Sequence, residues 1–283
     1  MRRRREGSMT DLTRYISAAD LQYVNPQEQA WLTQMFQRFG GYPSLEQLWS
    51  VMDEPWRALH CDPNVMDARI GDYYAHPVWL LNGLFIEQHA VSLDHRRRFT
   101  DWAAALEPLR VADYGGGFGS LARMIGEACP DAQVEVIEPH PHPLAIARAA
   151  QTPNVRYSPE LGEGYDVLIA TDVFEHVPDP LALVAETAAA LKPGGRYLIA
   201  NCFHPVILCH LPQTFHFRQS WAQALAAMGL TPAEPVVYGQ AFVRRGALDL
   251  QAARRIERWS QRLWAVSPYI PGRAAHILRR VFL

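Results

Sequence analysis

Cysteine is scarce. The four present, Cys61, Cys129, Cys202 and Cys209, are too scattered to suggest a disulfide framework. No apolar run of signal-peptide length follows the opening Met1-Arg2-Arg3-Arg4-Arg5-Glu6, so these thiols fit a reducing cytosol and a cytoplasmic location is expected. No stretch of about eighteen apolar residues occurs, and no transmembrane segment is expected. Neither sign of charge dominates: the formal net charge is −2, and no global field would recruit nucleic acid or an acidic partner. Internal repeats and low-complexity segments are absent as well.

What is present is the composition of an ordinary globular protein, with 49% hydrophobic and 20% charged residues. A chain of 283 residues can bury a sizeable core in one large domain, or in a domain with a cap. Three textures divide it. Residues 1–105 read as a helical cap, with apolar residues at helical spacing, as in Leu45, Leu48, Trp49 and Met52. Residues 106–245 alternate short β-rich runs with helical stretches, the signature of βαβ units on a parallel sheet. Residues 246–283 return to a helical, arginine-rich pattern. Its Arg254, Arg255, Arg258, Arg262, Arg273, Arg279 and Arg280, interleaved with Trp259, Trp264, Leu278 and Phe282, either cover the sheet or touch an anionic membrane surface.

In the middle region strands are expected at 109–114, 134–138, 155–158, 167–171 and 196–201, with one or two more between 234 and 244. Helices are expected at 120–128, 143–150, 181–191 and 220–228. Lys192-Pro193-Gly194-Gly195 reads as the stop of the third. Such sheets bind ligands beyond the carboxyl ends of their strands, where the strand order reverses.

The strongest signal is Val111-Ala112-Asp113-Tyr114-Gly115-Gly116-Gly117-Phe118-Gly119. A strand runs into Gly115, Gly117 and Gly119 at alternate positions and then into a helix, whose first N–H groups are unpaired. Asp113 stands where a carboxylate would meet an ammonium group rather than a phosphate. Glu138, at the end of the next strand, can accept hydrogen bonds from both hydroxyls of a ribose. Gly117-x-Gly119-x-x-Ala122 also satisfies a loose dinucleotide fingerprint, so an NAD-dependent oxidoreductase is the rival from another class. A non-catalytic cofactor-binding module is a further one.

Taken in order, Asp113-x-Gly115-x-Gly117-x-Gly119, Glu138, the stretch from Asp172-Val173-Phe174-Glu175-His176 to Pro180, and Leu191-Lys192-Pro193-Gly194-Gly195 resemble the class I S-adenosylmethionine-dependent methyltransferases, in particular those acting on small molecules. The resemblance covers about residues 105–245. It implies a Rossmann-like doubly wound α/β sheet of about seven strands, here with an N-terminal helical cap and a C-terminal helical tail. It also implies S-adenosyl-L-methionine as cofactor and a small-molecule acceptor, with an RNA or protein methyltransferase as the nearest alternative. By position, Asp113 would hold the cofactor's amino group above the glycine loop and Glu138 its ribose. Pro139 or His140 would flank the adenine, Glu160 would lie near the adenine amino group, and Thr171 and Asp172 would line the methionine side.

Methyl transfer asks the protein to align donor and acceptor, exclude water and, for an acidic acceptor, remove a proton. Histidine suits that last task. His204 follows the fifth strand and is the first candidate base, with His210 and His176 behind it. His216 and the adjacent Tyr73 and Tyr74 are expected to bind the acceptor, since aromatic faces attract a sulfonium and shield it from water. The alternatives are histidines bonded locally and aromatics that only fasten the cap. Asp172, Glu175 and His176 with His204 or His210 loosely resemble the metal sites of the ubiquinone-pathway and small-RNA O-methyltransferases. Those begin with glutamate, and no metal is expected here.

Overall fold

The computed structural model describes residues 11–266. The opening arginines and, in the tail, Arg273, Arg279, Arg280, Leu278 and Phe282 lie outside the described residues. Helices come first: α1 (Ala18–Leu21), α2 (Pro26–Phe39), α3 (Leu45–Ala58), α4 (Ala68–Tyr74), α5 (Val78–Ile86) and α6 (Ala90–Ala104). Asn25 with Glu28, and Ser44 with Gln47, form capping boxes that fix the starts of α2 and α3. The alternating region follows as β1 (Arg110–Tyr114), α7 (Ser120–Ala128), β2 (Gln133–Ile137), α8 (Pro143–Ala149), β3 (Val155–Ser158), β4 (Tyr165–Thr171), α9 (Pro180–Ala189) and β5 (Leu191–Ala200). It closes with α10 (Trp221–Met228), β6 (Leu230–Val236), β7 (Gly239–Arg244) and α11 (Leu250–Val266).

The seven strands form one sheet in the order β3-β2-β1-β4-β5-β7-β6. The first five run parallel, and β7 is antiparallel to both β5 and β6. The interior of β4, Val167-Leu168-Ile169-Ala170, is buried throughout, as a strand covered on both faces must be. Two local expectations are corrected. Lys192-Pro193-Gly194-Gly195 does not end a helix. α9 stops at Ala189, Leu191 already pairs with Tyr165, and the Pro-Gly-Gly segment is an irregularity before Arg196 pairs with Val167. β6 begins at Leu230, four residues ahead of the expected strand. Pro232 and Pro235 hide it in the sequence, and the outermost position in the sheet tolerates them.

Apolar packing covers both faces. On one, Leu168, Tyr197 and Phe242 meet Leu181 and Val184 of α9 and Leu225 and Met228 of α10. On the other, Val111, Val134 and Leu198 meet Phe99 of α6 and Leu121 and Ile125 of α7. A third cluster gathers α2 to α5 around Phe36, Trp56, Tyr73 and Phe85, and Ile207 and Cys209, from the segment after β5, close it. The helical layer is thereby seated on the carboxyl side of the sheet. Among the described residues no helix is long and apolar enough to cross a membrane.

A charged knot fastens that layer. Glu87, at the end of α5, accepts from Ser120 Oγ at 2.9 Å and pairs with Arg123 of α7 and Arg148 of α8. Arg148 also holds Asp20 of α1 at 2.9 Å. None of the Glu87, Arg123 and Arg148 side chains is more than 22% exposed. Removing Glu87 would leave the largely buried Arg123 guanidinium without its ion pair and Arg148 with Asp20 alone. Glu87→Ala should therefore lower unfolding stability in urea by about 2–4 kcal/mol. A loss of only a few tenths, as for a surface pair, would show the knot to be solvated decoration.

Candidate functional site

The chain lays β2 and β3 to one side of β1 and then crosses to β4 on the other. The carboxyl ends of β1 and β4 therefore splay apart above the point where the strand order reverses, the place such sheets reserve for ligands. The glycine loop lies there. Gly117 has a φ of +51°, and a Cβ built on it would meet only the Gly115 carbonyl oxygen, at 4.0 Å. Its outer side opens on empty space. A Cβ at Gly119 would instead lie 2.6 Å from the Tyr157 hydroxyl. That hydroxyl donates to the Gly117 carbonyl at 2.9 Å and so pins the loop to β3. Nothing in the local sequence around Tyr157 marks this role.

Asp113 is 1% exposed, and neither of its carboxylate oxygens has a hydrogen-bond partner. Burial pushes its pKa up to about 7, against the pull of the Arg96 charge and the nearby Ala122 amide. A buried acid left without a partner in a crevice lacks a cation or donor. Glu138 is half-buried just past β2. Its carboxylate accepts from the His140 amide at 3.3 Å, and burial raises its pKa. Its own amide donates to the Ser158 carbonyl, which brings the loop after β3 alongside. Glu160, two residues on, is exposed; Ser158 bonds its backbone, leaving the side chain unconstrained by that turn. Pro139 is exposed beside Glu138.

Across the crevice, Thr171 ends β4, and Asp172 follows with a φ of +54°. Asp172, Tyr74 and Tyr238 are all accessible, yet burial raises the pKa of each. Accessible groups that surrounding protein nonetheless desolvates line a concavity. Tyr238, from the turn between β6 and β7, donates to Asp172 Oδ2 at 2.9 Å. The sequence reading missed it because the pairing spans 66 residues.

On the cap side, Tyr74 packs against Trp79 with ring centroids 5.0 Å apart, and both rings face His176 at 6.5 Å. His210 lies edge-on to His176 at 4.8 Å. His176 Nδ1 donates to the Cys209 carbonyl at 3.1 Å, and His210 Nδ1 donates to the His204 carbonyl at 2.6 Å. Carbonyls only accept, so both rings keep their proton on Nδ1 and present a basic Nε2. Burial, with the neighbouring His210, pulls the His176 pKa down to about 3. Burial also lowers that of His210. Both are neutral near pH 7. Glu175 is fully buried, accepts from the Cys202 amide at 2.7 Å and has its pKa raised to about 8 by burial and by the Asp172 charge. Glu175, His176 and His210 each offer a ligand atom within 4.8 Å of the others, a set able to hold a divalent cation.

Three expectations are corrected. Tyr73 and Tyr74 do not share a surface, because adjacent helical residues point about 100° apart. Tyr73 is completely buried in the cap and donates to Cys209 Sγ at 3.3 Å. His216 does not wall the crevice. The 3-10 helix Pro212–Arg218 packs on α11, where His216 Nδ1 is 3.1 Å from Ser260 Oγ and burial lowers its pKa to about 4. The His204 ring is exposed, and what it brings to the cluster is its carbonyl oxygen.

A family model described as a methyltransferase domain matches residues 87–261. Among curated proteins, the chain is similar to the ubiquinone biosynthesis O-methyltransferase of Aliivibrio fischeri, strain MJ11. The two are 30% identical over 134 residues, which cover 44% of this chain and 56% of the relative. The enzyme of the same name from Aeromonas salmonicida is 27% identical over 156 residues, covering 50% and 65%. The chain thus spans somewhat over half the length of these relatives. Among solved structures, an O-methyltransferase family protein from Burkholderia thailandensis aligns with 84% of this chain and 77% of its own, at 16% identity and a TM-score of 0.45.

Proposed function

The chain belongs to the methyltransferase-domain family, a class I S-adenosylmethionine-dependent fold, and from that premise we propose that it methylates a hydroxyl group of a small aromatic or apolar acceptor. The observation that carries the reading is Asp113: a buried carboxylate with no partner, at the end of a glycine loop that opens on empty space at Gly117. An ammonium group matches that carboxylate in charge and in hydrogen bonding, whereas a nucleotide phosphate would be repelled. Glu138 would take the ribose hydroxyls, with Pro139 and Glu160 towards the adenine. Thr171 and Asp172 would border the methionine chain. When bound, the cofactor supplies a methyl carbon already activated by its sulfonium.

The acceptor would lie against Tyr74 and Trp79, whose rings shield the crevice from water. His210 is the better placed base. Its Nδ1 is anchored on the His204 carbonyl, and burial lowers its pKa, so it is neutral at pH 7. His176 stands behind it, too desolvated to hold a proton readily. His210 would take the proton of the acceptor's hydroxyl, leaving its oxygen free to receive the methyl group. Metal is not needed in this sequence of events. Transfer of a labelled methyl group from S-adenosylmethionine to phenolic acceptors, undiminished by a chelator, together with calorimetric binding of S-adenosylhomocysteine, tests the reading. Binding of NADH in place of either would sink it.

Proton linkage gives a second handle. An ammonium partner selects the ionised form of Asp113. With a pKa of about 7, that form is about a tenth of the empty protein at pH 6 and about nine-tenths at pH 8. Affinity for S-adenosylhomocysteine should therefore fall about tenfold from pH 8 to pH 6, with proton release on binding at the lower pH. The same raised pKa means that the empty fold loses stability as pH rises from the unfolded value of about 4 through 7. Asp113→Asn should accordingly remain at least as stable as the parent at pH 8 while binding the cofactor poorly. A pH-independent affinity in the parent would remove Asp113 from the ligand's reach.

A further inference from the structure

Helix α11 is fastened to the protein along one side. Ala253 is buried there, and Ser260 Oγ donates to the His216 carbonyl at 2.9 Å and accepts from Ser220 Oγ at 2.7 Å. The one acid of the helix, Glu257, is largely buried and paired with Arg254 at 2.8 Å. On the opposite side, Arg255, Arg258, Trp259, Arg262 and Val266 are all exposed. At about 100° of turn per residue they fall within an arc of about 100°. The ion pairs of α11 among the described residues are those of Arg254 and Arg255, the latter reaching Asp249 only at 4.0 Å. Arg258 and Arg262 have none. Trp259 stands among them 59% exposed, with the Arg262 guanidinium 5.6 Å from its ring centroid. A fixed helix thus presents a basic stripe with an indole in its middle.

This stripe adjoins an apolar rim. The 3-10 helix Pro212–Arg218, on which α11 packs, leads from one to the other. At one end Arg218 lies 5.0 Å from the Trp264 ring and donates from Nε to the carbonyl of Phe203, beside His204, at 2.5 Å. At the other end Gln213 donates to the Pro63 carbonyl at 2.9 Å. Near these anchors Val65 and Met66, just ahead of α4, and Leu208, just ahead of His210, are exposed. Seven residues of 3-10 helix span only about 14 Å at about 2 Å each, so one short element separates the arginines from the rim. A polynucleotide would use the arginines and stack on Trp259, but it offers nothing to valine, methionine and leucine. A bilayer with anionic headgroups answers both, with phosphates for the guanidinium groups and an interfacial layer for the indole and aliphatic side chains. The formal net charge of −2 assigns this attraction to the stripe and not to the molecule as a whole.

We propose that α11 docks the protein on an anionic membrane surface, with Arg255, Arg258 and Arg262 among the lipid phosphates and Trp259 in the interfacial layer. The contact is peripheral, since among the described residues no helix is long and apolar enough to cross a membrane. The docking stands on this surface alone and needs no acceptor. Joined to the methyl-transfer reading above, it would bring an apolar acceptor dissolved in the bilayer close to the crevice.

Flotation of the full chain with phosphatidylcholine vesicles, with and without phosphatidylglycerol, tests the docking. Both ends of the chain carry further arginines, so variants of α11 decide the matter rather than binding alone. The parent should float with the anionic vesicles and at least about tenfold less well with the neutral ones. High salt should release it, because screening shortens the reach of surface charge to a few ångströms. Arg258→Gln combined with Arg262→Gln should weaken the partition about 10- to 30-fold, at about fivefold for each basic residue lost. Brominated lipid should quench the parent's tryptophan emission, and Trp259→Phe should lose most of that quenching. These positions are exposed, so the variants should keep the parent's melting temperature. No flotation with anionic vesicles, equal flotation with neutral ones, or α11 variants that bind like the parent would each overturn the proposal. Capture of a single-stranded polynucleotide with the same arginine dependence, and of no vesicle, would overturn it in favour of nucleic acid. Failure to bind S-adenosylhomocysteine is a separate result: it would sink the methyl-transfer reading and leave the docking intact.

Discussion

Gly117→Val should reduce affinity for S-adenosylhomocysteine by more than about a hundredfold, the largest effect expected of any single change to the cofactor crevice. The loop glycines are not equivalent. At Gly119 a side chain would collide with the Tyr157 hydroxyl, so a substitution there disturbs the fold first. At Gly117 the added carbon meets nothing closer than 4.0 Å. The valine would project into the ligand's space and leave the protein around it in place. The backbone contributes too. A φ of +51° is a left-handed conformation that a β-branched residue adopts at a cost of about 1–2 kcal/mol. Gly117→Ala, which bears that backbone penalty with far less bulk, separates the terms. It should lower the melting temperature nearly as much as valine but bind the ligand better. Asp113→Ala and Glu138→Ala each delete one polar contact and should weaken binding by about 1–3 kcal/mol. Equal affinities for the parent and Gly117→Val would move the cofactor elsewhere on the protein.

His210→Ala should lower kcat about 10²- to 10⁴-fold on a phenolic acceptor, the usual range for losing a general base, with affinity for S-adenosylhomocysteine unchanged. The comparison that gives this force is His204→Ala. The His204 ring is exposed and its contribution is a backbone carbonyl, which alanine retains, so that variant should stay within a few-fold of the parent rate. The pH profile supplies a second readout. Since burial lowers the His210 pKa below the ordinary histidine value, the acid-side fall in kcat should lie below the ordinary histidine range. His176→Ala would also lower the rate, through loss of the ring that packs against His210 and Trp79. It should not shift the pH at which the rate falls. A His204→Ala variant as damaged as His210→Ala would return the base to His204 and show that the loop rearranges on binding.

How much of this was legible beforehand follows from the range over which each feature is determined. Asp113, the glycines Gly115, Gly117 and Gly119 and Glu138 at the next strand end lie within 26 residues of one another. Their placement depends on one βαβ unit, so residue order alone located the crevice. The periodicity of α7 and the buried run of β4 are equally local, and those elements stand where their patterns put them. Local signals misled where the neighbour decides. Pro-Gly-Gly after α9 reads as a stop but sits within β5, because Leu191 already pairs with Tyr165. Two prolines disguise β6, which an outer position tolerates. The partners of the site belong to the tertiary structure alone. Tyr157 on the Gly117 carbonyl, Tyr238 on Asp172 and His216 on Ser260 join residues 40 or more apart in the chain. Sequence determined which backbone forms the glycine loop above the crevice, since main-chain geometry is set by adjacent residues. Only packing decided which side chains turn towards that crevice, because a rotamer is chosen by the surface it meets.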